Sequence, residues 1–273
     1  MKQYFSNPFR EISQTVNAKT QITNLQKWHR VLAVIYAAQG LLVLLLSAHH
    51  DAPVKASYLV RDSLSSSVAG QTVWASAVHV IFNANLTYLL AAALFVATII
   101  NAIMSVKQLR YKDKYEASVK KGAVPLRWLN FAVSGGLLLV LVALISGVYD
   151  ISTLGLMLTL LAASAVFGLL TERGGGRLSF VAAMATATLT GLVPICYLMH
   201  GAIYGDGRLT GYVYGVVVVM LAYLVATMLT VYFHRQKIGR WSDVFFTEKT
   251  FLVRQLVVWT VLTWTLFVGL LSA

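Results

Sequence analysis

Seven long apolar runs, separated by short polar and mostly basic stretches, set the pattern of this chain. They lie at about 31–48, within Thr72 to Met104 (about 75–104), and at about 127–148, 151–171, 178–203, 212–233 and 251–272. Each approaches or exceeds the roughly 20 residues that carry a helix across a bilayer. Apolar residues fill the runs instead of recurring on one face, the mark of helices buried or lipid-facing all round. The last run is the cleanest: from Gln255 to Ala273 there is no charged side chain. The second is too long for one helix perpendicular to the bilayer and is expected to tilt or extend beyond it. The pattern predicts an all-α polytopic membrane protein, with residues 1–30 as a separate N-terminal segment and 31–273 as one transmembrane domain.

The connections refine this picture. Residues 1–30 scatter Tyr4, Phe5, Phe9, Ile12, Val16, Ile22 and Leu25 among polar and basic groups, a spacing suited to a helix lying along the membrane surface. Lys27-Trp28-His29-Arg30 then reads as an interfacial anchor. The first run is preceded by too long a polar segment, and followed by too poor a cleavage site, for a signal peptide, so it is taken as a retained span. His49 to Gln71, with Pro53, the alternation Val54, Ala56, Tyr58 and Val60, and serines at 63 and 65–67, is expected to form a short hairpin. Tyr149-Asp150 marks a tight turn, and Pro194 is expected to kink the fifth span. Gly174-Gly175-Gly176 is a turn; without a following Lys-Ser/Thr it is no phosphate loop. A basic linker, His234 to Thr250, leads to the seventh span.

Composition agrees: 58% of residues are hydrophobic, 12% are charged, and mean hydropathy is +0.71, values outside the range of soluble domains. The net charge of +12 comes without any nucleic-acid recognition motif, and it is unevenly distributed. Only Lys55, Arg61 and Arg208 fall in the connections of one side; every other Lys and Arg belongs to the opposite side. By the positive-inside rule the N-terminus is cytoplasmic and, after seven spans, the C-terminus is external. The expected location is the cell membrane. A single cysteine, Cys196, excludes an intramolecular disulfide.

Several short motifs, in order, resemble the heliorhodopsin family. Leu25-Gln26-Lys27-Trp28 and the stretch Ala38-Gln39-Gly40 to Ser47 look like that family's first helix, and Ala56-Ser57-Tyr58-Leu59 its first-loop strand. Arg127-Trp128-Leu129-Asn130-Phe131 stands where the family has an Arg-Trp-x-Glu-Tyr run. Ser146-Gly147-Val148-Tyr149-Asp150, Phe167-Gly168 through Glu172-Arg173, Gly191 to Pro194, and Lys237-Ile238-Gly239-Arg240-Trp241-Ser242-Asp243 through Glu248 to Trp264 complete the match. The resemblance covers the chain from Leu25 onward and implies a seven-helix rhodopsin-like bundle, a first external loop with a hairpin, and a homodimer. It also implies two departures from the family's chemistry: the retinal-binding lysine lands on Trp259 and the Schiff-base carboxylate on Asn130. A first-helix histidine of the family falls at Tyr36. The eleven lysines of the chain all lie in the tail, in loops or at span ends, so none reaches the bundle centre to form an imine. Loss of the carboxylate suits loss of the amine, since a buried anion without its cation is costly.

Trp259 reads either as a space-filling aromatic or as one wall of a pocket for an unattached apolar molecule, with Tyr36, Ser134 and Trp264 as candidate cavity lining. Asn130 and Ser134 share a helix face and suit an interhelical polar contact more than catalysis. Gly135-Gly136 permits close helix approach. His79, Asn83 and Asn85 are either wet or, if at depth, line a cavity with Tyr36 and Asn130. His49-His50-Asp51 and His200 lack the i,i+4 placement of a helical metal site, so no metal is expected. No Asp or Glu is placed within a span, with Asp150, Glu172 and Glu248 assigned to ends or loops, which argues against ion transport. Ala183, Ala187 and Gly191, with Ser164 and Gly168, form a small-residue stripe suited to a dimer seam. No hydrolase, kinase or metalloprotease signature is present. The expected function is a non-enzymatic signalling or scaffold protein with no covalent cofactor. It would act through its dimer, its first external loop and a basic cytoplasmic face at Lys107–Lys121 and Arg235–Lys249 that engages a protein partner. Alternatives are a binder of free retinal, another retinoid, a carotenoid or a lipid, and, by family role, a light sensor.

Overall fold

A computed structural model describes residues 8–105, 112–205 and 210–271, with the side chains of residues 8–17 and 112 excepted. The helices are α1 (Pro8–Leu46), α2 (Ser63–Ala69), α3 (Leu86–Ser105), α4 (Lys112–Lys120), α5 (Pro125–Ile145), α6 (Ile151–Glu172), α7 (Arg177–Tyr204), α8 (Gly211–Arg235) and α9 (Val244–Leu266). The strands are β1 (Asp51–Asp62) and β2 (Val73–Asn85). Seven helices, α1, α3 and α5 to α9, are long and apolar enough to cross a membrane. They pack in sequence order, α1 on α3, α3 on α5 and so on to α9, which returns to α1 and closes a ring. Ala48 N donates to Leu271 O at 2.8 Å where the ring shuts. Helix α5 is the most buried span and α7 the least.

The second apolar run is not one span. Its first half is β2, antiparallel to β1 in a register from Asp51↔Asn85 to Asp62↔Val73, and only Leu86–Ser105 is helical. Val73, Val78, Val80 and Ile81 are β-branched and Trp74 and Phe82 aromatic, residues that suit a pleated surface. Pairing with β1 also relieves the excess length that a single span would carry. His79, Asn83 and Asn85 therefore lie on a strand outside the helices and line no cavity with Tyr36. Asn85 instead caps α3 by accepting from Tyr88 N at 3.0 Å. The hairpin is longer than expected, and its tip is organised by Asp62, which accepts from Ser65 N at 3.1 Å at the start of α2. The hairpin is fixed to the bundle by Lys55 N, which donates to Tyr149 O at 2.8 Å in the α5–α6 turn.

Three other expectations change. No surface helix precedes the first span, because α1 runs unbroken from Pro8 to Leu46, and His29 of the presumed interfacial anchor is buried. The linker before the seventh span is short, since α9 begins at Val244 with Asp243 as its cap. The stripe of small residues faces inward: Ser164 Oγ donates to Ala183 O at 3.0 Å, and a Cβ on Gly191 would press on Leu221 and Leu224 of α8. Gly168 likewise admits the Trp128 ring from α5. These positions set helix spacing within the chain and are not a seam between copies. Pro194 sits inside α7 without ending it.

Candidate functional site

The centre of the bundle is organised by the inward row of α9: Glu248, Phe251, Leu252, Gln255, Val258, Trp259, Leu262, Thr263 and Leu266 are all buried. Their three- and four-residue spacing keeps one stripe facing the core. Trp259 has no exposed surface. Its Nε1 donates to Ser134 Oγ at 2.9 Å, and Ser134 Oγ in turn donates to Ala93 O of α3 at 2.9 Å. The indole meets Tyr223 of α8 edge-on, 4.9 Å between centroids, and lies within 3.7 Å of where a Cβ on Gly135 would sit. One side chain thus bridges α3, α5, α8 and α9.

The other candidate residues separate. Tyr36 is fully buried on α1 and its hydroxyl has no hydrogen-bond partner. Trp264 is half-buried, turned off the inward row, and packs on Phe267 at 5.6 Å. Asn130, one turn before Ser134 on α5, lines a cavity of about 20 Å³ with His29, Arg127, Tyr223, Glu248, Arg254 and Gln255, about the room one water needs. Four polar atoms of its lining residues, Arg127 Nε, Asn130 Oδ1, Arg254 Nε and Gln255 Nε2, make no hydrogen bond. Neither Tyr36 nor Trp264 reaches it. Among the described residues no lysine side chain is buried. His49 meets Tyr88 edge-on and His200 packs at a tilt against Tyr204, and no cluster of three or more potential metal ligands forms among the described residues.

The largest surprise is charge. Arg127, at the start of α5, pairs with Glu172 at the end of α6 and Glu248 in the first turns of α9. Both carboxylates are buried, so the assignment of Glu248 to a loop and the absence of buried acids are corrected. Trp128 Nε1 donates to Glu172 Oε2 at 2.8 Å, and the Arg127 guanidinium stacks over Phe251 at 4.0 Å. A second cation, the half-buried Arg254, donates to Ala226 O at 2.8 Å and Thr230 Oγ1 at 2.5 Å of α8. Beside them His29 bridges Asn101 Oδ1 at 2.7 Å and Tyr115 Oη at 2.9 Å, and burial holds the Tyr115 phenol above its ordinary value. The signal was in the sequence. Arg127 opens one run, Glu172 closes another and Glu248 precedes a third, all on the same face, and opposite charges at adjacent helix ends find each other.

One guanidinium holds both acids, so the trio carries a net negative charge when all three groups are ionised, and it ties together the ends of α5, α6 and α9. Such a group locks three helix ends together better than it relays protons. From Glu248 to Trp259 the α9 axis rises about 16 Å, so the ion cluster and the aromatic plug occupy successive levels of one bundle.

Comparison with known proteins adds one match: the Heliorhodopsin family model aligns with residues 25–271. No curated protein matches the chain.

Proposed function

The chain belongs to the heliorhodopsin family, a seven-helix membrane protein, and from that premise we propose that it is a member that holds no covalent retinal. In this reading Trp259 stands at the family's lysine position and Asn130 at its counterion position. The observation that carries it is the complete burial of Trp259, hydrogen-bonded to Ser134 and edge-on to Tyr223. An apolar ligand of drug size takes a pocket of roughly 300 Å³ or more, whereas the cavity at Asn130 measures about 20 Å³. What supports this reading is that among the described residues no lysine side chain is buried to bond a chromophore, no carboxylate stands at Asn130 to face an iminium, and an indole takes the place a polyene would need.

The protein then acts without chemistry of its own, as a signalling or scaffold component of the cell membrane with the N-terminus cytoplasmic and the C-terminus external. Two surfaces support this. The strand pairing puts exposed Leu59, Trp74, Val78 and Val80 on one face of the hairpin, an apolar face suited to a second copy of the chain in a homodimer. The basic face, including exposed Lys121, Arg235, Lys237 and Lys249, suits a cytoplasmic protein partner; Lys107 and Arg110 of that face lie outside the described residues. The buried acids are tied to Arg127, an arrangement that supports a structural role and not ion transport.

The test is the visible spectrum of the purified protein after incubation with all-trans retinal, read before and after acid denaturation. Free-retinal absorbance alone is the expected result. A band that survives acid trapping as an imine would overturn the reading and restore light sensing. A shifted band lost on denaturation would replace the scaffold with a non-covalent binder of retinoid, carotenoid or lipid.

A further inference from the structure

A groove of about 510 Å³ runs between α1 and the beginning of α9 on the basic face. Its walls include Leu25, Lys27, Trp28 and Val31 of α1, Arg240 of the preceding turn, and Phe245, Phe246 and Lys249 of α9. We propose that it is a site for an acidic phospholipid, whose phosphate sits among Lys27, Arg240 and Lys249 while its acyl chains follow the two helices into the bilayer.

Charge is the first argument. The three cations come from three separate segments and converge on one groove, and among the described residues none of them forms an ion pair. Two of the three are held by ring faces: Lys249 Nζ lies 5.8 Å from the Trp28 ring and Arg240 Cζ 4.9 Å from that of Phe246. Cations steadied on aromatics keep their donors for an outside anion. The carboxylate on the wall, Asp243, is committed to capping α9 by accepting from Phe245 N at 2.9 Å. The groove thus has a net positive charge.

Position is the second argument, and it selects a lipid over a soluble anion. The polar wall ends at Trp28 and Val31, where the first apolar run of the sequence begins. Below it the same faces continue by three- and four-residue steps as Val31 and Val34 on α1 and Val253 and Val257 on α9, all exposed. Phosphate donors above an open apolar track match a phospholipid in both halves. A soluble acidic peptide would use the cations and leave the track unexplained.

The experiment places the full chain in nanodiscs of phosphatidylcholine, with or without phosphatidylglycerol. Thermal unfolding is followed, and lipid retained on the protein is counted by native mass spectrometry. Wild type is expected to keep one phosphatidylglycerol and, at ten times its Kd, to unfold roughly 3–6 °C higher with it present. The variant K27Q/R240Q/K249Q should lose both effects while unfolding normally in phosphatidylcholine, and K120Q/K121Q/R235Q should retain both. Equal retention in the first variant, or no retention by wild type, overturns the proposal. If the triple variant fails to fold, R240Q and K249Q are read singly, with reduced retention expected and unchanged retention refuting it. Displacement of phosphatidylglycerol by poly-glutamate at equal charge concentration would transfer the groove to an acidic protein partner and likewise overturn it.

Discussion

Replacing Trp259 with alanine measures how far the bundle depends on its own aromatic filling. The indole is fully buried, donates to Ser134 Oγ at 2.9 Å and meets Tyr223 at 4.9 Å. Loss of the hydrogen bond costs about 1 kcal/mol and loss of the aromatic pair about 0.5–1.5 kcal/mol. The void left behind brings a buried Trp→Ala change to about 3–5 kcal/mol. In a membrane the unfolded helices are already in an apolar medium, so packing and not transfer carries the penalty, and a value near the lower end, about 3 kcal/mol, is expected. Trp259→Phe keeps much of the volume. Ser134 still donates to Ala93 O at 2.9 Å, so this variant should lose only about 1–2 kcal/mol. The assay is reversible unfolding in mixed micelles titrated with a denaturing detergent, for wild type, W259F and W259A, with and without benzene or indole. A small aromatic at a hundred times its Kd should return about 2.7 kcal/mol to W259A and nothing to wild type. An alanine variant within about 1 kcal/mol of wild type, and indifferent to the added aromatic, would show that the ring is not a plug.

Two other perturbations follow from the polar parts of the molecule. Arg127→Met leaves Glu172 and Glu248 buried without their cation and should cost about 3–5 kcal/mol, whereas the neutral triple R127M/E172Q/E248Q should recover much of that loss; equal stabilities in detergent unfolding would mean the cluster is solvated. At the hairpin tip, hydrogen bonds from the Ser65 hydroxyl and backbone N–H hold the Asp62 carboxyl below the usual carboxylate range. Because its pKa falls on folding, its contribution to tip order is fully present above the ordinary carboxylate value and is lost only as pH drops through the lower, folded one. Amide protection factors at Ser65 and Ser66, taken relative to the intrinsic exchange rate at each pH, should drop on acidification in wild type and show no such step in D62N.

Much of the architecture could be read from the apolar runs, because a span of about 20 residues is imposed by bilayer thickness and not by details of packing. Six of the seven spans fall where their runs do. The second did not, because β2 is as apolar as a helix: hydropathy registers Val78, Val80, Ile81 and Phe82 without saying whether they rise by 1.5 or 3.3 Å per residue. Its β-branched density was the available clue. Trp259 and Asn130 drew attention through the family resemblance, which set them against a lysine and a carboxylate, and both are buried. Trp264, five residues on, could not be oriented from a run apolar on every face. The Arg127 cluster was missed for a different reason. Charges at span ends were counted by side to give orientation, and that tally treats Glu172 and Glu248 as wet while ignoring which helix ends adjoin. Burial of an ion pair depends on the ring order of helices, which no single run contains.

Helix α9 is the last of the seven spans to emerge from the ribosome, and it carries Trp259, Glu248 and Arg254 together. Until it inserts, Ser134 has no indole above it, Tyr223 lacks its edge-on neighbour, and Arg127 has Glu172 but not Glu248. The first span is likewise uncovered on the side where α9 will lie, since the ring closes only at Ala48 and Leu271. Of the seven spans the seventh is made last, and it brings the indole plug, the second carboxylate on Arg127 and the closing contact to α1 together. Chains truncated within α9 should be held by membrane quality control as a class apart from those truncated in the hairpin, because they present that uncovered side to the lipid.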